Sequence, residues 1–208
     1  DYDTILSMTP EWNFDSFVEM LPDKGFLLEI GSFVGKSTVC WAKTFDKYNK
    51  EWDIHTVDAF AGQAPPSLYT SDESVIEYMK PFVMSADDQM SQFLKNIEGY
   101  DNITWEKIWI ADGYVPPVKP TAMFYDGDHN YKGMKAVFDC LGDTPYIFVD
   151  DDGTSNTQTV VPSFDYHFAD GTSVKFANLS RYHTLNNLRA AYGEPVARQW
   201  DQLMRRAE

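Results

Sequence analysis

Apolar positions along the chain change period several times, and each change marks an element. Across residues 11–21, Trp12, Phe14, Phe17, Val18 and Leu21 recur at the spacing of one helical face. Residues 25–30 (GFLLEI) form a short apolar run of strand length that stops at Gly31. Residues 37–45 have helical character, and 53–57 again read as a strand. Strand, glycine-rich turn, helix and strand in that order predict the βαβ unit of a parallel sheet. Downstream, 86–97 place Met90, Phe93, Leu94 and Ile97 on one helical stripe, and 103–110 are strand-like. Residues 122–125 and 146–149 read as short buried strands ending at Asp126 and Asp150, with a helix over 131–140 between them. Residues 164–168 and 173–179 alternate as an antiparallel pair does, and 182–192 and 195–206 close the chain as helices.

This order predicts an α/β fold: a doubly wound, Rossmann-like, mostly parallel sheet with an antiparallel C-terminal edge hairpin and helices on both faces. A length of 208 residues fits one domain over 1–208. One stretch breaks the rhythm. Residues 62–84 hold Pro65, Pro66 and Pro81 with Tyr69, Tyr78, Phe82 and Met84 and show no clear period, as a lid or insert would, or a plain surface excursion.

Charge narrows the partners. A net charge of −15 disfavours nucleic acid and anionic membranes, and no apolar run reaches the length of a bilayer span, so a small molecule is expected. Cys40 and Cys140 sit in apolar patterns and read as reduced core residues, which with no leader-like segment suggests a cytoplasmic protein. The helix from Trp12 to Leu21 and the C-terminal helices could supply a homodimer face.

Ligands of open α/β sheets bind beyond the carboxyl ends of the strands, so the residues there are the candidates. The first group is Glu29-Ile-Gly31-Ser32-Phe-Val-Gly35, whose glycines let the backbone turn sharply and approach a ligand. The spacing is one residue short of a P-loop, and Phe33 stands where GxGxxG needs glycine, so a carboxylate-bearing ligand fits better than a diphosphate. A purely structural turn is the alternative. Asp58, at the end of the next strand with Ala59 after it, could accept both hydroxyls of a ribose, and with the glycine turn it points to an adenosine-containing ligand. A helix cap is the bland reading of a lone aspartate there. Tyr125-Asp126-Gly-Asp128-His129 and Val149-Asp150-Asp151-Asp152 then gather carboxylates at two strand ends, an arrangement that a divalent cation such as Mg²⁺ would neutralise through Asp126, Asp150 and Asp151. His129 could act there as a general base, while Asp128 and Asp152 read as caps.

The runs LLEIGSFVGKST, TVDAF, FYDGDHNYKGMKAVFDC and IFVDDDG, from Phe26 to Gly153, resemble the class I S-adenosylmethionine-dependent methyltransferases. They are most similar to the branch with a DGDHxY strand end, which includes catechol-type and macrolide-sugar O-methyltransferases. The resemblance implies that Glu29, Gly31, Ser32 and Gly35 form the cofactor loop, that Asp58 binds ribose with Ala59 beside it, and that Asp112 lies near the adenine. It also implies Asp126 beside the cofactor and as a metal ligand with Asp150, and His129 as the base of an O-methylation. The catechol-type pattern has Asp-Asn where this chain has Asp150-Asp151, and 62–84 has no counterpart. Two other functions fit the same residues: a metal-dependent nucleotide-sugar transferase, through Asp126-Gly-Asp128, and a methyltransferase-like binding module without catalysis.

Overall fold

The computed structural model describes residues 4–7, 14–68, 71–110, 114–127, 144–149, 166–167 and 173–175, with 137 and 141. The elements in chain order are α1 (Asp15–Met20), β1 (Lys24–Ile30), α2 (Lys36–Lys47), β2 (Glu51–Asp58), α3 (Glu73–Met79), α4 (Ala86–Ile97), β3 (Ile103–Lys107), β4 (Ala122–Tyr125), β5 (Tyr146–Val149), β6 (Tyr166–His167) and β7 (Ser173–Lys175). They build one seven-stranded sheet in the order β3-β2-β1-β4-β5-β7-β6. β1 to β5 are parallel, whereas β7 pairs antiparallel with both β5 and β6. The connection from β6 to β7 lies outside the described residues, as do the helices expected over 182–192 and 195–206.

β1 is the central one of the five parallel strands, and its last four residues are all buried. A strand covered on both faces cannot alternate apolar and polar positions, which is why LLEI reads as a continuous run. Its partners fix the register: Ile30 lies opposite Val57 of β2 on one side and Tyr125 of β4 on the other. The strand order reverses between β1 and β4, so the ends of these two strands flank the switch point where ligands of such sheets bind.

Each face of the sheet carries its own core. On one face, Leu27, Ile54, Phe124 and Phe148 pack against Phe14 and Phe17 near and on α1, Trp41 and Phe45 of α2, and Phe93 and Ile97 of α4. Aromatic rings run through this core: Phe14 stacks on Trp41 at 3.8 Å between centroids, and Phe45 on Trp52 at 4.8 Å. On the other face, Leu28, Ile30, Val57, Met123 and Tyr125 meet Tyr114 and the helical Val137 and Leu141.

Phe14, Phe17, Val18 and Leu21, on and beside α1, are buried in the molecule's own core. Two expectations change. β3 stops at Lys107 instead of reaching residue 110, because after Ile108 donates its amide to the Asp58 carbonyl the chain turns off along a cavity wall. Residues 62–84, which show no apolar period, nevertheless contain a helix, α3, capped by Asp72, whose side chain accepts the Ser74 amide. The excursion is closed at its base by paired hydrogen bonds between Gln63 and Met84, and α3 has no buried residue. Among the described residues, no helix is long and apolar enough to cross a membrane.

Candidate cofactor site

A cavity of about 240 Å³ opens at the carboxyl ends of β1, β2, β3 and β4. Gly31, Phe33, Asp58, Ala59, Asp126 and Gly127 line it from the strand ends, Gly62, Gln63 and Gln89 from one side, and Ile108, Trp109 and Ile110 as an apolar wall. Its position follows from the sheet. The Asp126 amide donates to the Ile30 carbonyl and the Gly31 amide to the Val57 carbonyl, so three neighbouring strands finish level.

Gly31 is required at this point. Its φ is +87°, and a Cβ placed there would lie 2.0 Å from the Asp126 carbonyl oxygen. Two strands can therefore end this close only without a side chain between them. Gly35 has a different task. It caps α2 with a left-handed φ of 88°, and its Cβ would meet the Phe93 ring at 3.1 Å, so its smallness serves the approach of α4.

The expected site residues divide accordingly. Gly31, Asp58, Ala59 and Asp126 come together on the cavity. Glu29, Ser32 and Gly35 do not line it. Glu29 is fully buried behind the loop, where its oxygens accept the hydroxyls of Ser37 (2.6 Å) and Thr38 (2.5 Å) from the first turn of α2. It ties β1 to that helix instead of facing a ligand. Burial pushes its carboxyl up to about 7, against the opposing pull of those hydroxyls. Ser32 is buried, and its hydroxyl has no partner among the described residues. Asp112, His129, Asp150 and Asp151 lie outside the described residues, with Asp128 and Asp152. Of the three expected metal ligands only Asp126 is described, and no group of three metal-ligating side chains occurs among the described residues.

Asp58 sits at the cavity, yet its carboxylate is occupied by the protein. One oxygen accepts the amides of Ser32 (3.0 Å) and Phe33 (2.9 Å). The other accepts the Phe60 amide (2.6 Å) and the Gln89 side-chain amide (3.3 Å). Phe33 and Phe60 have left-handed φ values of 49° and 43°, a conformation that costs a residue with a Cβ roughly 1–2 kcal/mol. The carboxylate offsets that strain by holding both amides in place.

Gln89 is the residue that the apolar pattern passes over. It lies four and eight residues before Phe93 and Ile97, on the same row of α4, and it is 4% exposed. A polar residue inside an apolar helical row is the signal that marks it, since buried amides must find partners. Phe33 and Gln63 carried no site signal in the sequence, and the wall 108–110 read as the end of a strand, because their places depend on where loops turn.

No protein-family profile matches this sequence, and neither does any curated protein. Solved structures do match. The O-methyltransferase NovP is similar with a TM-score of 0.56 at 15% identity, over 78% of this chain and 76% of that one. The S-adenosylhomocysteine-bound methyltransferase PaMTH1 of Podospora anserina is similar with a TM-score of 0.39 at 13% identity, over 86% of this chain and 60% of that one. The chain thus has the Rossmann-like fold of a solved O-methyltransferase, with its cavity at the switch point of the sheet.

Proposed function

We propose that the chain is a class I S-adenosylmethionine-dependent methyltransferase that methylates an oxygen of a small-molecule acceptor. The observation that carries this reading is the convergence of the glycine turn, Asp126 and the Ile108–Ile110 wall on one cavity at the switch point. The shared fold with an O-methyltransferase supports it.

The residues present suit such a cofactor. The apolar wall accepts a flat aromatic ring, and Asp126 brings a negative charge that favours a cationic ligand end. S-adenosylmethionine supplies a methyl group already activated on a sulfonium. The chain's own part is then to align acceptor and methyl group and to prepare the acceptor hydroxyl. Gly31 leaves the strand end open, and Phe33 closes the loop side. His129, three residues beyond Asp126 in the sequence, takes the hydroxyl proton as general base. Asp126, Asp150 and Asp151 would hold a divalent cation, which would supply Lewis-acid polarisation of the acceptor hydroxyl. These last two roles rest on the sequence pattern alone.

Titration calorimetry with S-adenosylhomocysteine tests the reading, with Mg²⁺ and with EDTA, beside an Ala59→Trp variant that fills the cavity from a loop position. Micromolar binding by the wild type and its loss in the variant are expected. A folded wild type that gives no heat in either condition would refute it. Turnover of a screened catechol or sugar acceptor that persists undiminished in EDTA would remove the cation, and undiminished turnover of His129→Ala would remove the base.

A further inference from the structure

The Asp58 carboxylate presents about four acceptor positions, and four protein donors fill them: the amides of Ser32, Phe33 and Phe60 and the side chain of Gln89. Gln89 is itself engaged at both its nitrogen and its oxygen. Its amide group donates to Asp58 and to the Phe33 carbonyl (3.2 Å), and its oxygen accepts the Gly62 amide (2.8 Å). Through these bonds Phe33 is held at both its N–H and its C=O. The far end of the arrangement is anchored as well, because the Phe60 ring is fully buried and packs on Phe93 at 4.9 Å. Phe33 and Gly62 both line the cavity, so whatever fixes them fixes two of its sides.

We propose that Asp58 and Gln89 form a clasp that positions the cofactor loop: Asp58 spends its carboxylate on the left-handed amides of Phe33 and Phe60 rather than on a ribose, and Gln89 latches this unit to Gly62. The proposal rests on the methyltransferase reading for the identity of the ligand, but not for the clasp itself. A ribose diol arriving at Asp58 would have to displace amides that hold the cavity wall. Its recognition therefore falls to other groups, and Asp58 and Gln89 act on affinity through the loop.

Two measurements on the full chain test this. The first needs no ligand: amide hydrogen exchange in the wild type, Asp58→Asn and Gln89→Ala. The amides of Ser32, Phe33 and Phe60 are expected to be protected in the wild type and to exchange at least about tenfold faster in both variants. Unprotected amides in the wild type, or unchanged rates in the variants, overturn the clasp. The second compares binding of S-adenosylhomocysteine with that of its 2′-deoxy and 3′-deoxy analogues, in each protein and at a temperature where each is folded. Both variants are expected to lose about tenfold or more in affinity, while the factor lost on removing a ribose hydroxyl stays the same as in the wild type. A deoxy penalty that disappears in Asp58→Asn would make Asp58 a ribose ligand and end the proposal. Unchanged affinity of the folded Gln89→Ala, with only a lowered Tm, would reduce Gln89 to a packing residue and end its part. A wild type that binds none of these probes would defeat the methyltransferase reading, and the exchange rates would still decide the clasp.

Discussion

At Gly31 the absence of one carbon decides whether β1 and β4 can finish side by side. Both the left-handed φ and the 2.0 Å approach to a backbone oxygen forbid a side chain, and backbone cannot swing away as a flexible side chain could. Gly31→Ala should therefore lower stability by several kcal/mol, about the cost of combined backbone strain and overpacking, with a fall in the urea midpoint and loss of cofactor binding. A variant of wild-type midpoint would mean that the strand ends are looser than they stand here. Glu29, two residues away, makes a pH prediction. Its folded pKa of about 7 lies above its ordinary value of 4.5, so the folded state keeps a proton through that window that the unfolded chain releases. The stability it contributes is full below pH 4.5 and is lost as pH rises towards 7. Glu29→Gln keeps the shape without the charge, so its stability relative to wild type should grow by up to about 3 kcal/mol between those pH values. Urea unfolding across the window reads this directly, and parallel pH profiles would contradict it.

Among the elements, α4 shows how far periodicity carries. A stripe of Met90, Phe93, Leu94 and Ile97 is a sound helical face, and the helix runs over the same residues, Ala86–Ile97. The buried row, however, is Gln89, Phe93 and Ile97, while Leu94 is 40% exposed. Period alone gives a face about a turn wide, and the way the helix meets α2, Phe60 and Trp105 of β3 selects the row that is buried. The excursion 62–84 fails in the opposite sense. Its prolines mask a helix whose signal is local, Asp72 followed by Glu73 in the first turn. Because α3 buries nothing and the Gln63–Met84 bonds close the loop beneath it, excising residues 68–79 and rejoining the ends with glycines should shift Tm by only a few degrees. Binding of S-adenosylhomocysteine should survive the excision. A collapse of thermal stability would show that the excursion supports the core after all.

For the molecule as a whole, the order of the parallel strands with α1, α2 and α4 was legible in the sequence, because each of these writes its own period and each turn its own residues. That order already implies a parallel sheet with acids at its strand ends, and it places Gly31, Asp58 and Asp126 near one another. What the sequence could not assign is which acid faces a ligand. Glu29 and Asp58 both end strands beside the same turn, yet one is fully buried against Ser37 and Thr38 and the other grips Ser32, Phe33 and Phe60. The choice depends on donors that arrive from elsewhere in the chain, such as Gln89, which reaches Phe33 across 56 residues. Burial and hydrogen-bond satisfaction are properties of the packed whole, so only the tertiary structure decides them; periodicity and turn chemistry are local, so the sequence determines them by itself.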